Sequence, residues 1–170
     1  MARQAKSDSS KILRLVGVGG TFDILHSGHV TLLRAALHSA REVQIGLASD
    51  EFVERMGKTH NVNPYDARAQ EIRRFLKREH ALDRTEIVPI EDEYGPATQS
   101  PDLEGLVVSR ETLLNGEKIN KIRQQAGLPP LKLLVVELVL AKDGNPISTR
   151  RIRGGEITPT GEMVKGFGKE

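Results

Sequence analysis

The chain has 170 residues, of which 38% are hydrophobic and 28% are charged, as in ordinary soluble globular domains. Its 25 Lys and Arg residues and 23 Asp and Glu residues leave a net charge of +2, too even a balance for a general nucleic-acid binder. The sequence has no cysteine, which excludes disulfides, thiolate metal sites and cysteine catalysis. Its apolar runs are shorter than the roughly 20 residues of a membrane-spanning helix, and its polar N-terminus is unlike a secretory signal. We therefore expect a cytoplasmic protein.

The hydrophobic pattern predicts strands that alternate with helices along the chain. Strands are predicted at 12–18, 42–49, 87–90, 106–109 and 132–140. Helices are predicted at 28–41, 50–56, 64–80, 111–125 and 149–153, with an irregular loop at 91–102. Such alternation predicts an α/β fold, a single Rossmann-like domain whose five-stranded parallel sheet has helices on both faces.

One domain accounts for most of the chain, since neither an internal repeat nor a break in composition marks a second one. We predict a disordered N-terminus at 1–10, the domain at 11–157 and a C-terminal tail at 158–170. In sheets of this kind, ligands bind beyond the carboxyl ends of the strands. That rule indicates three places: the turn at 19–29, the region of Ser109, and the loop after Leu140.

The first of these places combines small residues with two histidines. In the segment VGVGGTFDILHSGHVTLLRAA, Gly19 and Gly20 lack a Cβ atom, so a ligand can approach the backbone closely. His26 and His29 lie three residues apart at a helix start and so face the same direction, with Gly28 clearing space between them. Each feature alone has a structural explanation as part of a tight turn, but the combination indicates a binding site.

Two kinds of ligand fit this turn, a metal ion and an anion. For a metal ion, Asp23 is the only obvious third ligand beside the two histidines, so we predict no protein-held metal. Asp23 and Thr21 could equally cap the helix. A phosphate fits better, because free N–H groups and the helix dipole attract anions and imidazoles donate to phosphate oxygens. The turn is not a Walker A loop, since no Gly-Lys-Ser/Thr follows.

The segment GGTFDILHSGH resembles the signature of the HxGH nucleotidyltransferases, which move an adenylyl or cytidylyl group onto a phosphorylated acceptor. Further segments make the chain similar to the archaeal phosphopantetheine adenylyltransferases and to the matching half of eukaryotic coenzyme A synthase. These segments are IGLASDEFV, EDEYGPA, LVVSRETLLNGEKINKIRQQAGLPPL and ISTRRIRGGEI, and the resemblance extends from about Leu13 to Ile157. It implies transfer of AMP from ATP to 4'-phosphopantetheine in coenzyme A biosynthesis, giving dephospho-coenzyme A and pyrophosphate. It also implies Mg²⁺, bound with ATP and bridging the nucleotide phosphates.

The resemblance also implies roles for individual residues. His29 would contact the α-phosphate in the transition state, and the Thr21 hydroxyl would orient the acceptor phosphate. Lys58 matches a family lysine that bridges the phosphates of both substrates, and Arg68 is a further candidate for the acceptor phosphate. The implied ATP-binding residues are Gly20, Phe22, His26, Ser109, Thr112, Asn120, Ser148, Thr149 and Arg153.

One position departs from the family pattern. The segment ISTRRIR corresponds to a motif that usually reads Ile-Ser-Ser-Thr-x-x-Arg, so Arg150 stands where a threonine is usual. Arg150 would either reach the ATP phosphates or point to solvent while backbone amides bind them.

Other functions stay open at this point. The chain could be another HxGH nucleotidyltransferase, with nicotinamide mononucleotide or glycerol 3-phosphate as acceptor, or a non-catalytic nucleotide-binding protein. A nucleic-acid binder using the arginine-rich segment 68–78 is disfavoured, because four Phe, two Tyr and no Trp offer little base stacking. No membrane partner is expected, and the sequence makes no prediction of the oligomeric state.

Overall fold

The structure, a computed structural model, describes residues 12–58 and 60–166. Its strands are β1 (Leu13–Gly20), β2 (Ala40–Ala48), β3 (Thr85–Ile90), β4 (Gly105–Ser109) and β5 (Lys132–Val136). Its helices are α1 (Ser27–Ser39), α2 (Asp50–Arg55), α3 (Tyr65–Arg78), α4 (Leu113–Gln125) and α5 (Thr149–Arg153). The strands form one parallel sheet in the order β3-β2-β1-β4-β5. The predicted fold class is confirmed.

Helices cover the two faces of the sheet unequally. Helices α1 and α3 pack on one face, where the buried residues include Val16, Val18, Leu33 and Ile72. Helix α4 packs on the other face, over β4 and β5. Burial of each such aliphatic side chain contributes about 1.5–3 kcal/mol. Over β1 and β2, the α4 face of the sheet carries a groove instead of a helix.

The strand order places the ligand site at the centre of the sheet. From β1 the chain moves outward through β2 to β3, and then returns to β4 on the opposite side of β1. The order therefore reverses between β1 and β4, and a crevice opens beyond their carboxyl ends at such a point. The histidine turn follows β1, and Ser109 ends β4.

Strand β5 is shorter than predicted, ending at Val136 instead of residue 140. It is an edge strand, and its single neighbour β4 ends at Ser109, which pairs with Val136. Beyond that pair, β4 offers no further residue for β5 to bond with. The chain then turns back, and Leu140 pairs with Pro146 in an isolated antiparallel bridge.

Short 3₁₀ turns also differ from the prediction. The loop at 91–102 is not wholly irregular, because Gly95–Thr98 forms a 3₁₀ turn in which the Asp92 carboxylate accepts from the Gly95 N–H. A second 3₁₀ turn, Leu82–Arg84, precedes β3. Both depend on bonds between residues close in the chain, which the apolar periodicity does not report.

The predicted tail is described as far as residue 166, and that part bonds back to the domain. The Pro159 carbonyl accepts from the Ser27 N–H at the start of α1 (2.9 Å), and the Gly161 carbonyl accepts from the Lys142 N–H (2.9 Å). The predicted disorder of residues 1–10 lies outside the described residues. Within the described ranges, no helix has the length and apolar character needed to cross a bilayer.

Candidate active site

The turn after β1 is built around the Phe22 ring. Phe22 has a φ of 46°, an uncommon conformation for a residue with a side chain, and its ring is 1% exposed. A Cβ atom on Gly20 would lie 3.1 Å from that ring, so glycine is needed there for packing. The Phe22 ring meets the His29 ring edge-on, with 5.2 Å between centroids. Packing of Phe22 thus supports the orientation of His29.

His26 caps helix α1, a role that the sequence suggested for Thr21 or Asp23. Its Nδ1 accepts from the backbone N–H groups of Gly28 (3.1 Å) and His29 (3.4 Å). A Cβ on Gly28 would lie 2.9 Å from His26 Cε1. The rings of His26 and His29 stack with centroids 3.7 Å apart, so the two predicted histidines do lie together.

Both imidazoles are neutral near pH 7. Burial lowers the pKa of His26 to about 4. Burial, His26 and Lys58 lower the pKa of His29 to about 3, although the Ile24 carbonyl and Asp23 act in the opposite direction. His29 Nδ1 lies 3.1 Å from the Ile24 carbonyl oxygen.

Thr21 and Lys58, predicted to serve the acceptor phosphate, are in contact. Lys58 Nζ donates to Thr21 Oγ1 over 3.0 Å. Burial lowers the pKa of Lys58. A hydroxyl and an ammonium therefore converge on one spot beside the histidine turn, as a shared phosphate would require.

Arg68 is placed differently from the other acceptor-phosphate candidates. Its side chain is fully buried and donates to the backbone carbonyls of Asn63, Thr21 and Ala48. It also pairs with the Asp50 carboxylate at 2.7 Å. Arg68 thus holds the backbone of Thr21 from below the site, and the structure gives it a positioning role where the sequence suggested phosphate contact.

Asp23 joins three segments of the site, a role that sequence reasoning missed. Its carboxylate, 2% exposed, accepts from Arg153 Nε (2.8 Å) and Nη2 (3.0 Å) and from the Asn63 N–H (2.7 Å). Arg153 Nη2 also donates to Asn63 Oδ1 (3.1 Å). Burial alone would raise the pKa of Asp23, but hydrogen bonds from Arg153 and Asn63 hold it below its ordinary value. Arg153, predicted to bind ATP, is thereby tied to the histidine turn.

Helix α5 begins at the predicted phosphate-binding hydroxyls. Ser148 is its N-cap and accepts from the Arg151 N–H over 3.3 Å, and Thr149 is its first residue. Both are half-buried, whereas Arg150 is exposed. The Asp23–Arg153 pair joins this helix to the histidine turn.

The remaining ATP-binding candidates divide into two groups. Ser109 and Thr112 lie together after β4, where the Thr112 hydroxyl accepts from the Ser109 N–H (2.9 Å). Asn120 has both ends of its amide bonded to the backbone of Leu131, at 2.9 and 2.7 Å. Asn120 therefore fixes the entry to β5, and its amide is bonded to the backbone at both ends.

A groove on the α4 face of the sheet opens onto this site and was not foreseen. The cavity has a volume of about 250 Å³, and Gly20 and Thr21 line one end of it. Gly17, Gly19 and Gly46 line it without side chains of their own, and Gly19 is paired to Gly46 across β1 and β2. Its walls include Phe52, Met56, Ile90, Tyr94, Leu103 and Ile119. Glycines at alternate positions of a strand were the signal in the sequence.

The groove is apolar along most of its length. Among the described residues that line it, Glu93 alone carries a formal charge. Over the same described part of the chain, no cluster of three or more His, Asp or Glu side chains could hold a metal ion. The site is thus a polar, donor-rich end joined to a mainly apolar groove.

Comparison with known proteins shows the family. The cytidylyltransferase-like family matches residues 18–155. The phosphopantetheine adenylyltransferase of Methanopyrus kandleri is 45% identical over 141 residues, which cover 83% of this chain and 89% of the relative. That of Pyrococcus abyssi is 38% identical over 150 residues, covering 88% and 95%. The chain therefore belongs to the cytidylyltransferase-like family. Within that family, it falls among the archaeal phosphopantetheine adenylyltransferases.

Solved structures show the same fold. A crystal structure from Archaeoglobus fulgidus, described as a protein of unknown function, has 35% identity and a TM-score of 0.64, covering 71% of this chain and 87% of that one. Pantoate-beta-alanine ligase from Francisella tularensis has 13% identity and a TM-score of 0.56, covering 83% and 65%. At that identity the second match is a likeness of fold alone.

Proposed function

We infer that this chain is a nucleotidyltransferase that transfers the adenylyl group of ATP to 4'-phosphopantetheine, giving dephospho-coenzyme A and pyrophosphate in coenzyme A biosynthesis. Relatives named phosphopantetheine adenylyltransferase align over most of the length of this chain. The observation in the structure that carries the proposal is the junction of a phosphate site with an apolar groove at Gly20 and Thr21. An acceptor with a phosphate at one end and an uncharged arm matches that shape.

The reaction needs alignment and charge neutralisation more than acid–base chemistry. An oxygen of the acceptor phosphate attacks the α-phosphorus, a new P–O bond forms, and the bond to the bridging oxygen of pyrophosphate breaks with its electron pair. The enzyme must hold these three groups in line and neutralise the equatorial oxygens. Hydrogen-bond donors that are already in place contribute most to such a step.

We propose that the donors divide by substrate. Thr21 Oγ1 and Lys58 Nζ, 3.0 Å apart, would hold the acceptor phosphate. His26 and His29 would contact the nucleotide phosphates, with His29 at the α-phosphate. The backbone of Gly20 and Phe22 would complete the turn.

The rest of the ATP site would lie around the ends of β4 and α5. Ser148 and Thr149 at the start of α5, together with Arg153, would hold the outer phosphates of ATP. Ser109 and Thr112, which are bonded to each other after β4, would lie on the adenosine side. Arg68 and Asn120 would act only through the backbone segments that they hold.

Mg²⁺ fits this site as a partner of the nucleotide. The donor set is made of N–H, imidazole and ammonium groups, and both oxygens of Asp23 are bonded to Arg153 and Asn63. We propose that the ion is held mainly by phosphates, as is common for Mg²⁺ with ATP. When bound, it neutralises charge on the leaving pyrophosphate.

The groove favours phosphopantetheine over the other acceptors. The pantetheine arm is narrow and uncharged, and a floor of glycine backbone admits it without side-chain obstruction. Nicotinamide mononucleotide would bring a ribose and a cationic ring against a mainly apolar lining, in which Glu93 is the one charged side chain among the described residues, at a cost in desolvation. Glycerol 3-phosphate would leave the groove empty.

We also propose a cytoplasmic location, because the reaction draws on the ATP of the cytoplasm.

The test measures pyrophosphate release with ATP and Mg²⁺ across a panel of acceptors. We expect turnover with 4'-phosphopantetheine and none with pantetheine, which has the arm without the phosphate. Turnover with nicotinamide mononucleotide, and none with phosphopantetheine, would contradict the assigned acceptor. Binding of both substrates without pyrophosphate release would instead indicate a non-catalytic nucleotide-binding protein.

A further inference from the structure

The two stacked histidines carry their ring protons on opposite nitrogens. His26 Nδ1 accepts from the Gly28 and His29 N–H groups, so the proton of neutral His26 is on Nε2. His29 Nδ1 lies 3.1 Å from the Ile24 carbonyl oxygen, which can only accept. The proton of neutral His29 is therefore on Nδ1, and its Nε2 carries a lone pair.

This difference matters for a phosphate ligand. Neutral His26 has an N–H to donate to a phosphate oxygen, whereas neutral His29 has only a lone pair at Nε2, which a phosphate oxygen repels. His29 can become a donor at Nε2 in two ways. It can gain a second proton, or it can move its proton from Nδ1 and leave the Ile24 carbonyl facing a lone pair. The first way keeps the bond to Ile24.

The groups that face His29 keep it neutral when no nucleotide is present, and phosphate charge acts in the opposite direction. His26 is stacked on it, Lys58 repels a second positive charge, and Asp23 is already paired with Arg153. Together with burial, these groups keep the pKa of His29 at about 3. One unit charge at about 4 Å changes a protonation equilibrium by roughly a thousandfold at the effective dielectric of a protein surface. A triphosphate brings more than one such charge.

Resting on the proposed function, we propose that His29 takes up a proton from solvent as ATP binds, while the stacked His26 stays neutral. The resulting imidazolium donates from Nδ1 to Ile24 and from Nε2 to the α-phosphate. It returns the proton after pyrophosphate leaves. The ring centroids are 3.7 Å apart, so two positive charges would repel each other strongly, and one proton is taken up at each active site. The positive charge is thus created only where and when phosphate charge is present.

The direct test observes the imidazole nitrogens by NMR in the ¹⁵N-labelled full chain, which has five histidines. Spectra are recorded near neutral pH without ligand, and then with Mg²⁺ and an ATP analogue that has a methylene group between its α- and β-phosphates. His26→Gln and His29→Gln assign the signals. We expect His29 to change from an Nδ1–H ring to a doubly protonated ring, and His26 to stay in its Nε2–H form.

Two failures are distinguishable in that experiment. If the analogue does not bind, measured independently by titration calorimetry, the proposed function fails. If it binds while His29 stays neutral, in either tautomer, the proton uptake is disproved and the proposed function stands.

Calorimetry in buffers of different ionisation enthalpy gives a second readout. We expect net proton uptake on binding in the unmodified chain, up to one proton per site, and affinity that rises as the pH falls. His38→Gln is the matched control, because His38 is exposed on the same helix; it should retain the uptake. His29→Gln should lose it, and equal uptake in the two variants would overturn the proposal.

Discussion

At the scale of single residues, the histidine turn depends on two glycines that make room for rings. Gly20 leaves space for the Phe22 ring and Gly28 for the His26 ring. Neither glycine has a positive φ, whereas Phe22, in the same turn, does. The HxGH pattern therefore requires glycine for close packing, because a Cβ would displace the imidazole that caps α1.

Gly28→Ala tests this packing. Its Cβ would lie 2.9 Å from His26 Cε1 and 3.0 Å from Nδ1, so the His26 ring must move. Loss of the cap should lower the free energy of unfolding by about 1 kcal/mol, measured by urea titration. Affinity for the ATP analogue should also fall. Analogue affinity equal to that of the unmodified chain would refute the packing explanation.

His29→Ala tests the donor at the α-phosphate. If His29 acts chiefly in the transition state, kcat should fall by roughly 100- to 1000-fold, as for loss of one oxyanion-hole donor. The dissociation constant of ATP should change less, because the free energy needed to protonate His29 offsets much of its ground-state contact and the other donors remain. Steady-state kinetics measures kcat and calorimetry measures the dissociation constant, on a variant whose circular dichroism spectrum is unchanged. A loss of less than about tenfold in kcat would mean that His29 has another role.

At the scale of elements, strand β1 has two different faces. Val16 and Val18 point into the core below α1 and α3, while Gly17 and Gly19 present no side chain on the opposite face. Leu103 and Leu106 pack over Gly17, whereas the space over Gly19, beside Gly46 of β2, is open. One strand thus stabilises the domain with one face and leaves space for a substrate with the other.

Gly19→Ala tests the groove with little disturbance of the fold. A Cβ there would have its nearest neighbours at 3.7 and 3.8 Å, which is ordinary contact distance. It would project into the groove, so the KM for phosphopantetheine should rise about tenfold, within the usual cost of overfilling a packed site. The KM for ATP and the free energy of unfolding should stay unchanged. An unchanged acceptor KM would place the pantetheine arm elsewhere.

At the scale of the whole molecule, Asp23 holds together segments that are distant in the chain. Arg153 lies 130 residues further on, yet its guanidinium bonds to both oxygens of this buried carboxylate. Asn63 joins the same cluster, and through Arg68 the cluster reaches the backbone of Thr21. The histidine turn, the loop that carries Lys58 and helix α5 are therefore positioned as one unit.

Asp23→Asn keeps the size of the side chain and removes its charge, leaving Arg153 without its partner. We expect the free energy of unfolding at neutral pH to fall by about 2–4 kcal/mol, because one partner of a buried pair is lost. The matched control is Asp102→Asn, in an exposed pair with Arg14, which should leave the free energy of unfolding almost unchanged because solvent screens such pairs. Chemical denaturation of both variants measures the difference.

The pH dependence of that loss has a definite direction. The pKa of Asp23 in the folded chain is below its ordinary value. Its contribution to stability is therefore full above the ordinary aspartate pKa of about 4, and it disappears as the pH falls through the folded-state value. The gap between Asp23→Asn and the unmodified chain should close in acid. A gap that stays constant from neutral pH into acid would contradict the ion pair.

The sequence by itself determined what depends on neighbours in the chain. Apolar periodicity determined the alternating strands and helices, and hence the parallel sheet. The spacing of His26 and His29 at a helix start predicted that both face the same direction, and their rings do lie together. Apolar periodicity did not determine where strands end: β5 ends beside the last residue of its partner β4.

The tertiary structure decided what depends on pairs far apart in the chain. Whether Arg68 meets a phosphate or a set of backbone carbonyls depends on which segments surround it, and the structure surrounds it with Thr21, Asn63 and Ala48. The groove exists because the register of β1 and β2 sets Gly19 beside Gly46. Asp23 meets Arg153 only when the sheet has brought their segments together. The sequence shows which chemical groups a side chain has, but the packing of distant segments determines which group that side chain contacts.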